Sequence, residues 1–173
     1  MNWKLTFTGH AQDASDGENI RQQGIGSLSI LEEDGSEVAT FDAISGPGIN
    51  GLLPNGKYRA SRPIMDQNFP DENGLSYKIP LQPVGNLAAG FGRSGLLIHP
   101  TQRNWTGVEN GEPRYQVCPT DGCVGLVGHY NAQSFLDAIQ PYFDEHGSID
   151  LEVDIVDNAN VKIQLGSRLR YDV

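Results

Sequence analysis

Glycine and proline punctuate this chain at short, irregular intervals, and that punctuation restricts it to short elements joined by turns. The 173 residues include 21 Gly and 10 Pro, scattered with no period. Breakers at this density interrupt long helices and mark turns between strands. Between them lie brief apolar runs. Trp3 to Thr8 places Trp3, Leu5 and Phe7 on one face, the alternation of a half-buried strand. Ile25 to Leu31 and Val38 to Ile44 flank Asp34-Gly35, a hairpin signal. Lys57 to Ala60 and Tyr77 to Leu81 read as strands, and Leu96 to His99 as a brief apolar run ended by Pro100. Ile149 to Val156 alternates Ile149, Leu151, Val153 and Ile155 with acidic residues, so a half-buried strand is expected there. Val161 to Leu165 reads as the last strand. Ala11 to Gly24 reads as a loop, Pro63 to Gly74 as a polar insertion, and Thr101 to Pro119 as a long irregular segment of the kind that forms binding loops or lids.

One helix is expected. It starts near Asn131, a good N-cap residue, and sets Phe135, Leu136 and Ile139 on one apolar face. Pro141 is expected to break or restart it, and Gly147 to end the region. The length suits a single core. The expectation is one domain over residues 1–173, mainly β (α+β), with a curved mixed sheet or sandwich and one main helix.

Charge narrows the function classes. The formal net charge is -10, and no Lys/Arg cluster offsets it, which argues against nucleic acid and against anionic lipid surfaces. No run approaches the ~20 apolar residues that span a bilayer, so no membrane insertion is expected. Met1 to Thr8 contains no apolar stretch of the signal-peptide kind. The chain is therefore expected to be made in the cytoplasm and to stay there, or to leave by a route that reads no such signal. The two cysteines, Cys118 and Cys123, make no disulfide framework and are too few for a cysteine-based zinc site. Whether they bridge each other stays open. A metal hydrolase built on His99 and His129 lacks any HExxH-like spacing. No metal and no cofactor is expected.

The segment Thr120-Asp121-Gly122-Cys123-Val124-Gly125-Leu126 can carry chemistry. A cysteine directly after glycine, on a turn into an apolar run, has accessible backbone, and nearby N–H groups can face a developing oxyanion. Such a thiol needs a base. His99, held at the end of Leu96-Leu97-Ile98, is the best placed of four histidines. His129 follows Cys123 too closely along one strand to fold back. His146 sits at the helix end, where a cation suits the dipole, and His10 lies beside the first polar loop. From the residues alone, a cysteine in an apolar run such as Cys123 is more often a small buried hydrophobe than a nucleophile, and a histidine after a strand such as His99 is usually a surface or hydrogen-bonded side chain. Cys118 precedes Pro119 and lacks the glycine turn, which makes it the weaker nucleophile.

Gly92-Arg93-Ser94-Gly95-Leu96-Leu97-Ile98-His99 and Thr120-Asp121-Gly122-Cys123-Val124 together resemble the His and Ser/Thr-x-Gly-Cys motifs of L,D-transpeptidase (YkuD-type) catalytic domains. Pro54-Asn55-Gly56-Lys57-Tyr58 resembles the Pro-x-Gly-x-Tyr strand that precedes them. The resemblance runs from about Gly46 to Ile139. Its closest flavour is the type VI secretion L,D-transpeptidase effector family. Housekeeping members usually carry His where Asp121 stands, Arg where Gly125 stands and Gly where Pro100 stands, which favours the effector-like branch.

The resemblance implies a peptidoglycan stem peptide as substrate, Cys123 as nucleophile and His99 as base. It places Thr120, Asp121 and Gly122 at the oxyanion turn, and makes Arg93, Ser94 and Trp105 candidate substrate contacts. Thr120 can instead simply cap the turn and Asp121 be an exposed turn residue. Arg93 can equally form a surface ion pair, and Trp105 be ordinarily half-buried. An effector role implies delivery to the periplasm of a target bacterium, through a secretion apparatus, with an immunity protein as partner. An inactive cell-wall-binding module, or a phage-encoded cell-wall protein of this fold, are the other readings.

Overall fold

The structure, a computed structural model, describes residues 2–15, 20–46, 52–71, 73–85, 95–101, 104–109, 112–116 and 123–156. The chain runs β1 (Lys4–Ser15), β2 (Ile20–Leu31), β3 (Glu37–Ser45), β4 (Gly56–Ser61), β5 (Ile64–Pro70), β6 (Ser76–Pro83), β7 (Leu97–Thr101), β8 (Asn104–Glu109), β9 (Glu112–Gln116), β10 (Val124–Val127), helix α1 (His129–His146) and β11 (Ser148–Val156). Nine strands form one sheet in the order β4-β11-β1-β2-β3-β10-β7-β6-β5. A further pairing of β4 with β6 closes it into a barrel and leaves β5 attached outside the ring. The sheet is mixed: β1 runs parallel to β11 and β7 parallel to β10, and the other pairings are antiparallel. β8 and β9 pair only with each other among the described residues.

Alternation along each strand builds the interior. Leu5 and Phe7, Leu28 and Ile30, Phe41 and Ala43, Tyr58 and Ala60, Tyr77 and Ile79, and Ile149, Leu151, Val153 and Ile155 of β11 all turn inward and are buried. α1 adds Ala132, Phe135, Ile139, Tyr142 and Phe143 to the same core. The Phe135 ring meets Phe41 edge-on at 5.3 Å, and the Tyr77 hydroxyl donates to the Ala132 carbonyl at 2.8 Å. Beyond the core, Trp3 stacks on Tyr142 at 5.3 Å, tying the N-terminal strand to the helix.

Several local expectations hold. The β2–β3 connection turns at Asp34-Gly35: Gly35 has φ 89°, and the Asp34 carboxylate accepts from the Ser36 N–H at 2.8 Å. Gly147 ends α1 in the left-handed region and donates to the Phe143 carbonyl.

Others are corrected. Ala11 to Gly24 is not a loop throughout, because β1 and β2 continue as one long antiparallel ladder up to Ser15↔Ile20. The polar insertion contains β5, and β7 passes through Pro100, whose missing N–H the short parallel ladder tolerates. The irregular segment contains β8 and β9, as its β-forming Trp105, Val108 and Tyr115 and the Asn110-Gly111 pair between them would favour. The helix begins at His129, after Gly128, so Asn131 is not its cap. The Asn131 amide instead exchanges hydrogen bonds with the backbone of Asp42, a tertiary partner that outcompetes the local one. Pro141 does not break α1, because it and the Asp137 it would have bonded lie on the exposed side, where water serves the carbonyl. The expected strand Val161 to Leu165 lies outside the described residues. Among the described residues no helix is long and apolar enough to cross a membrane.

Candidate functional site

β7 and β10 are short, mostly apolar runs, and their parallel pairing sets the site. Val124 pairs with Ile98 and Gly125 with His99. Val124 and Ile98 belong to the core, as does Leu96. Because side chains alternate, His99 and Thr101 face the other side of the sheet, opposite Gly125 and Val127. Continuing the register by one residue brings Cys123 level with Leu97. Cys123 itself lies just before β10, and His99 two residues further along the neighbouring strand than Leu97.

The outer face is exposed along β4 and β11, where Lys57, Arg59, Asp150, Glu152 and Asp154 meet water. Around Ile44 at the end of β3, Gly125 of β10, and His99 and Thr101 of β7 it is covered. Cys123 is 5% exposed, His99 5%, Ile44 6% and Thr101 1%, yet none belongs to the core cluster. They form a second buried patch. The Cys123 Sγ lies 3.8 Å from the carbonyl of Gly95, the residue that opens the approach to β7 with φ 73°.

The His99 Nδ1 lies 2.6 Å from the Pro100 carbonyl oxygen. A carbonyl can only accept, so Nδ1 carries the proton and Nε2 is the basic nitrogen. The next residue's backbone thus fixes the tautomer, a task often given to a carboxylate. Burial holds His99 below the ordinary imidazole value, and the Pro100 contact only partly opposes this. The imidazole is therefore neutral at pH 7, the state a base requires. The Phe69 ring, on β5, covers it at 5.2 Å between centroids, tilted by 38°.

Gly125 faces His99 across the ladder for a steric reason. A Cβ at 125 would sit 3.0 Å from the Thr101 methyl and 3.4 Å from Ile44. A side chain at this position requires Thr101 and Ile44 to give by a few tenths of an ångström.

The remaining histidines are elsewhere. His129 Nδ1 lies 2.8 Å from the Asp71 carboxylate, whose other oxygen accepts from the Asn73 and Leu75 N–H groups at 2.8 and 3.0 Å. This pair anchors the start of α1 to the β5–β6 turn. β10 separates it from the thiol, since four strand residues span about 13 Å. His146 stacks on Tyr142 at 4.0 Å, and His10 is exposed on β1. Among the described residues no three His, Cys, Asp or Glu side chains gather as a metal-ligand set.

Of the residues singled out in the sequence, His99 lies on β7 and Cys123 immediately precedes β10, the neighbouring strand, with its Sγ against the Gly95 carbonyl. Trp105 lies on β8, its backbone paired with Tyr115. Arg93, Ser94, Thr120, Asp121, Gly122 and Cys118 lie outside the described residues, and so does the question of a Cys118–Cys123 bridge. Phe69 and the Pro100 carbonyl were not foreseen. The one available signal for Phe69 was a lone aromatic in an otherwise polar stretch. Comparison of the chain with protein-family models, with curated proteins and with solved structures finds no match in any of the three.

Proposed function

We propose that this chain is an L,D-transpeptidase-like domain that cleaves or exchanges the stem peptide of peptidoglycan through a cysteine acyl-enzyme. The observation that carries the chemistry is the β7–β10 register. It lays β7, which carries the buried His99 with Nδ1 on the Pro100 carbonyl, against β10, which the buried Cys123 immediately precedes, and this supports the reading. The motifs around His99 and Cys123 supply the substrate class.

In this reading His99 Nε2 takes the Cys123 proton as sulfur attacks the carbonyl of the third stem residue. The backbone N–H groups of Gly122 and Cys123 hold the oxyanion. The tetrahedral intermediate expels the terminal D-residue, whose amine receives the proton from His99. Water then attacks the thioester in a carboxypeptidase, a D-amino acid in an exchange reaction, and a second stem amine in a cross-link. In each case His99 accepts the nucleophile's proton and returns it to the departing thiolate. Because Gly125 stands where housekeeping members of the family carry arginine, Arg93 and Ser94 are the candidates for gripping the substrate carboxylate. In the effector form of this reading the enzyme acts in the periplasm of a target bacterium, and the producing cell keeps an immunity protein.

The test incubates wild type and Cys123→Ala with disaccharide tetrapeptide and follows products by mass spectrometry. Loss of terminal D-Ala, or its replacement by an added D-amino acid, is expected in wild type only. No conversion by reduced wild type across several stem peptides rejects the enzyme and leaves a wall-binding module.

A further inference from the structure

His99 occupies an outward-facing strand position, where a side chain ordinarily meets water, yet it is 5% exposed. Among the described aromatic rings, Phe69 is the one in contact with it. Phe69 comes from β5, the strand outside the barrel ring, whose pairing with β6 shifts register between Met65 and Pro70. Such an irregularity bends a strand and re-aims its side chains.

The bend is pinned at several points. The Phe69 N–H donates to Ser76 Oγ at 3.0 Å, and the Ser76 hydroxyl donates to the Asp66 carbonyl. The Asn68 N–H donates to the Asp66 carboxylate at 2.9 Å, and Lys78 pairs with the same carboxylate at 2.8 Å. Asp71 closes the turn beyond Phe69 through the Asn73 and Leu75 N–H groups. An exposed edge strand has no need of so many fixed points. They hold one ring over one imidazole.

We propose that Phe69 is a positioning residue, a fixed aromatic roof that holds the His99 ring in one orientation and keeps water from it. The inference rests on the reading of His99 as the base. Without the roof, the imidazole can turn away from the Pro100 carbonyl and present the wrong nitrogen to the thiol. The charged groups on the roofing elements are already engaged: Asp66 with Lys78, and Asp71 with His129. The titratable group beside the neighbouring strand is the thiol of Cys123, immediately before β10, which lies against the Gly95 carbonyl. Desolvation by burial is also the leading cause that holds the imidazole below its ordinary value, and the Phe69 ring is one of the groups packed against it.

The experiment titrates the histidine side chains by NMR in wild type, Phe69→Ala, Phe69→Tyr and Phe69→Leu, with His99→Gln to assign the His99 signal. Phe69→Ala is expected to move the His99 midpoint up toward the ordinary value of about 6.5. Phe69→Tyr, which keeps the ring, is expected to stay at the wild-type midpoint. On tetrapeptide, Phe69→Ala should lose about tenfold in kcat with KM little changed, as expected when geometry and not binding is disturbed. An unchanged His99 midpoint in folded Phe69→Ala overturns the proposal, even if thermal stability falls. If Phe69→Ala does not fold, an unchanged midpoint in Phe69→Leu overturns it equally. A moved midpoint in a protein that turns over no stem peptide keeps the roof and rejects the peptidoglycan reading, so the two failures are told apart.

Discussion

Burial of His99 has a cost that pH makes visible. Its folded-state value lies below the ordinary one of about 6.5 because the imidazolium would be poorly solvated. Between those two values the unfolded chain binds more protons than the folded one. Stability is therefore complete above about pH 6.5 and is lost as pH falls toward the folded-state value, with a limiting slope of about 1.4 kcal/mol per pH unit. Replacing His99 by Gln removes that contribution. Wild type is expected to lose Tm between pH 6.5 and pH 5 more steeply than His99→Gln, measured by calorimetry in matched buffers. Parallel curves would show that His99 is not buried in its neutral form. The carboxylates held below their ordinary value, Asp34 by Ser36 and Asp66 by Lys78, titrate lower still and do not enter this window.

The β1–β2 ladder is where an element's own geometry decides most. Gly9 and Gly26 are direct partners across it. A Cβ at Gly26 would fall 1.8 Å from the Thr8 carbonyl oxygen, and one at Gly9 would fall 2.5 Å from that of Ile25. The neighbours are backbone atoms, so no rotamer change relieves the clash. Glycines at such points let a strand bend sharply enough to follow a barrel wall. Gly26→Ala is expected to cost about 2–3 kcal/mol through the forced shift of β1, seen as a Tm lower by roughly 4–12 °C. Gly35→Ala makes a useful contrast. Nothing lies within 4 Å of a Cβ there, so only its positive φ is strained. A Gly26→Ala protein with wild-type Tm would rule out the close approach of the two strands.

At the scale of the whole molecule, closure joins the long β1–β2–β3 hairpins to the shorter strands that carry the site. β10 slots between β3 and β7, and α1 follows it to pack against the core these strands enclose. Phe135, fully buried against Phe41, lies at that junction. Phe135→Ala should cost about 3–5 kcal/mol by transfer and cavity together. Denaturant titration should show a lower midpoint with an unchanged m-value. A loss below about 1 kcal/mol would place α1 outside the cooperative core. Cys123→Ala belongs to the patch outside the core cluster, so it separates activity from folding more cleanly than Phe135→Ala does.

The period-2 alternation of β1, β4, β6 and β11, the Asp34-Gly35 turn and the Gly147 stop are local signals, and each was legible from a few neighbouring residues. So were Cys123 and His99 as a candidate pair, because their flanking glycines and apolar residues travel with them in sequence. What sequence did not show was which strands meet. Pairing energies come from partners far apart in the chain, and one periodic run looks much like another until the partner is known. That is why polar residues of β1 and β2 were read as loop, why Asn131 was assigned to a cap it does not make, and why Phe69 passed unnoticed. The amino-acid sequence by itself determined the strand-forming character, the helix that follows Cys123 and the nucleophile–base candidates. The tertiary structure decided barrel closure, the parallel register that lays β7 against β10 and the Phe69 ring that meets His99. Those three depend on non-local contacts, which no short window of sequence contains.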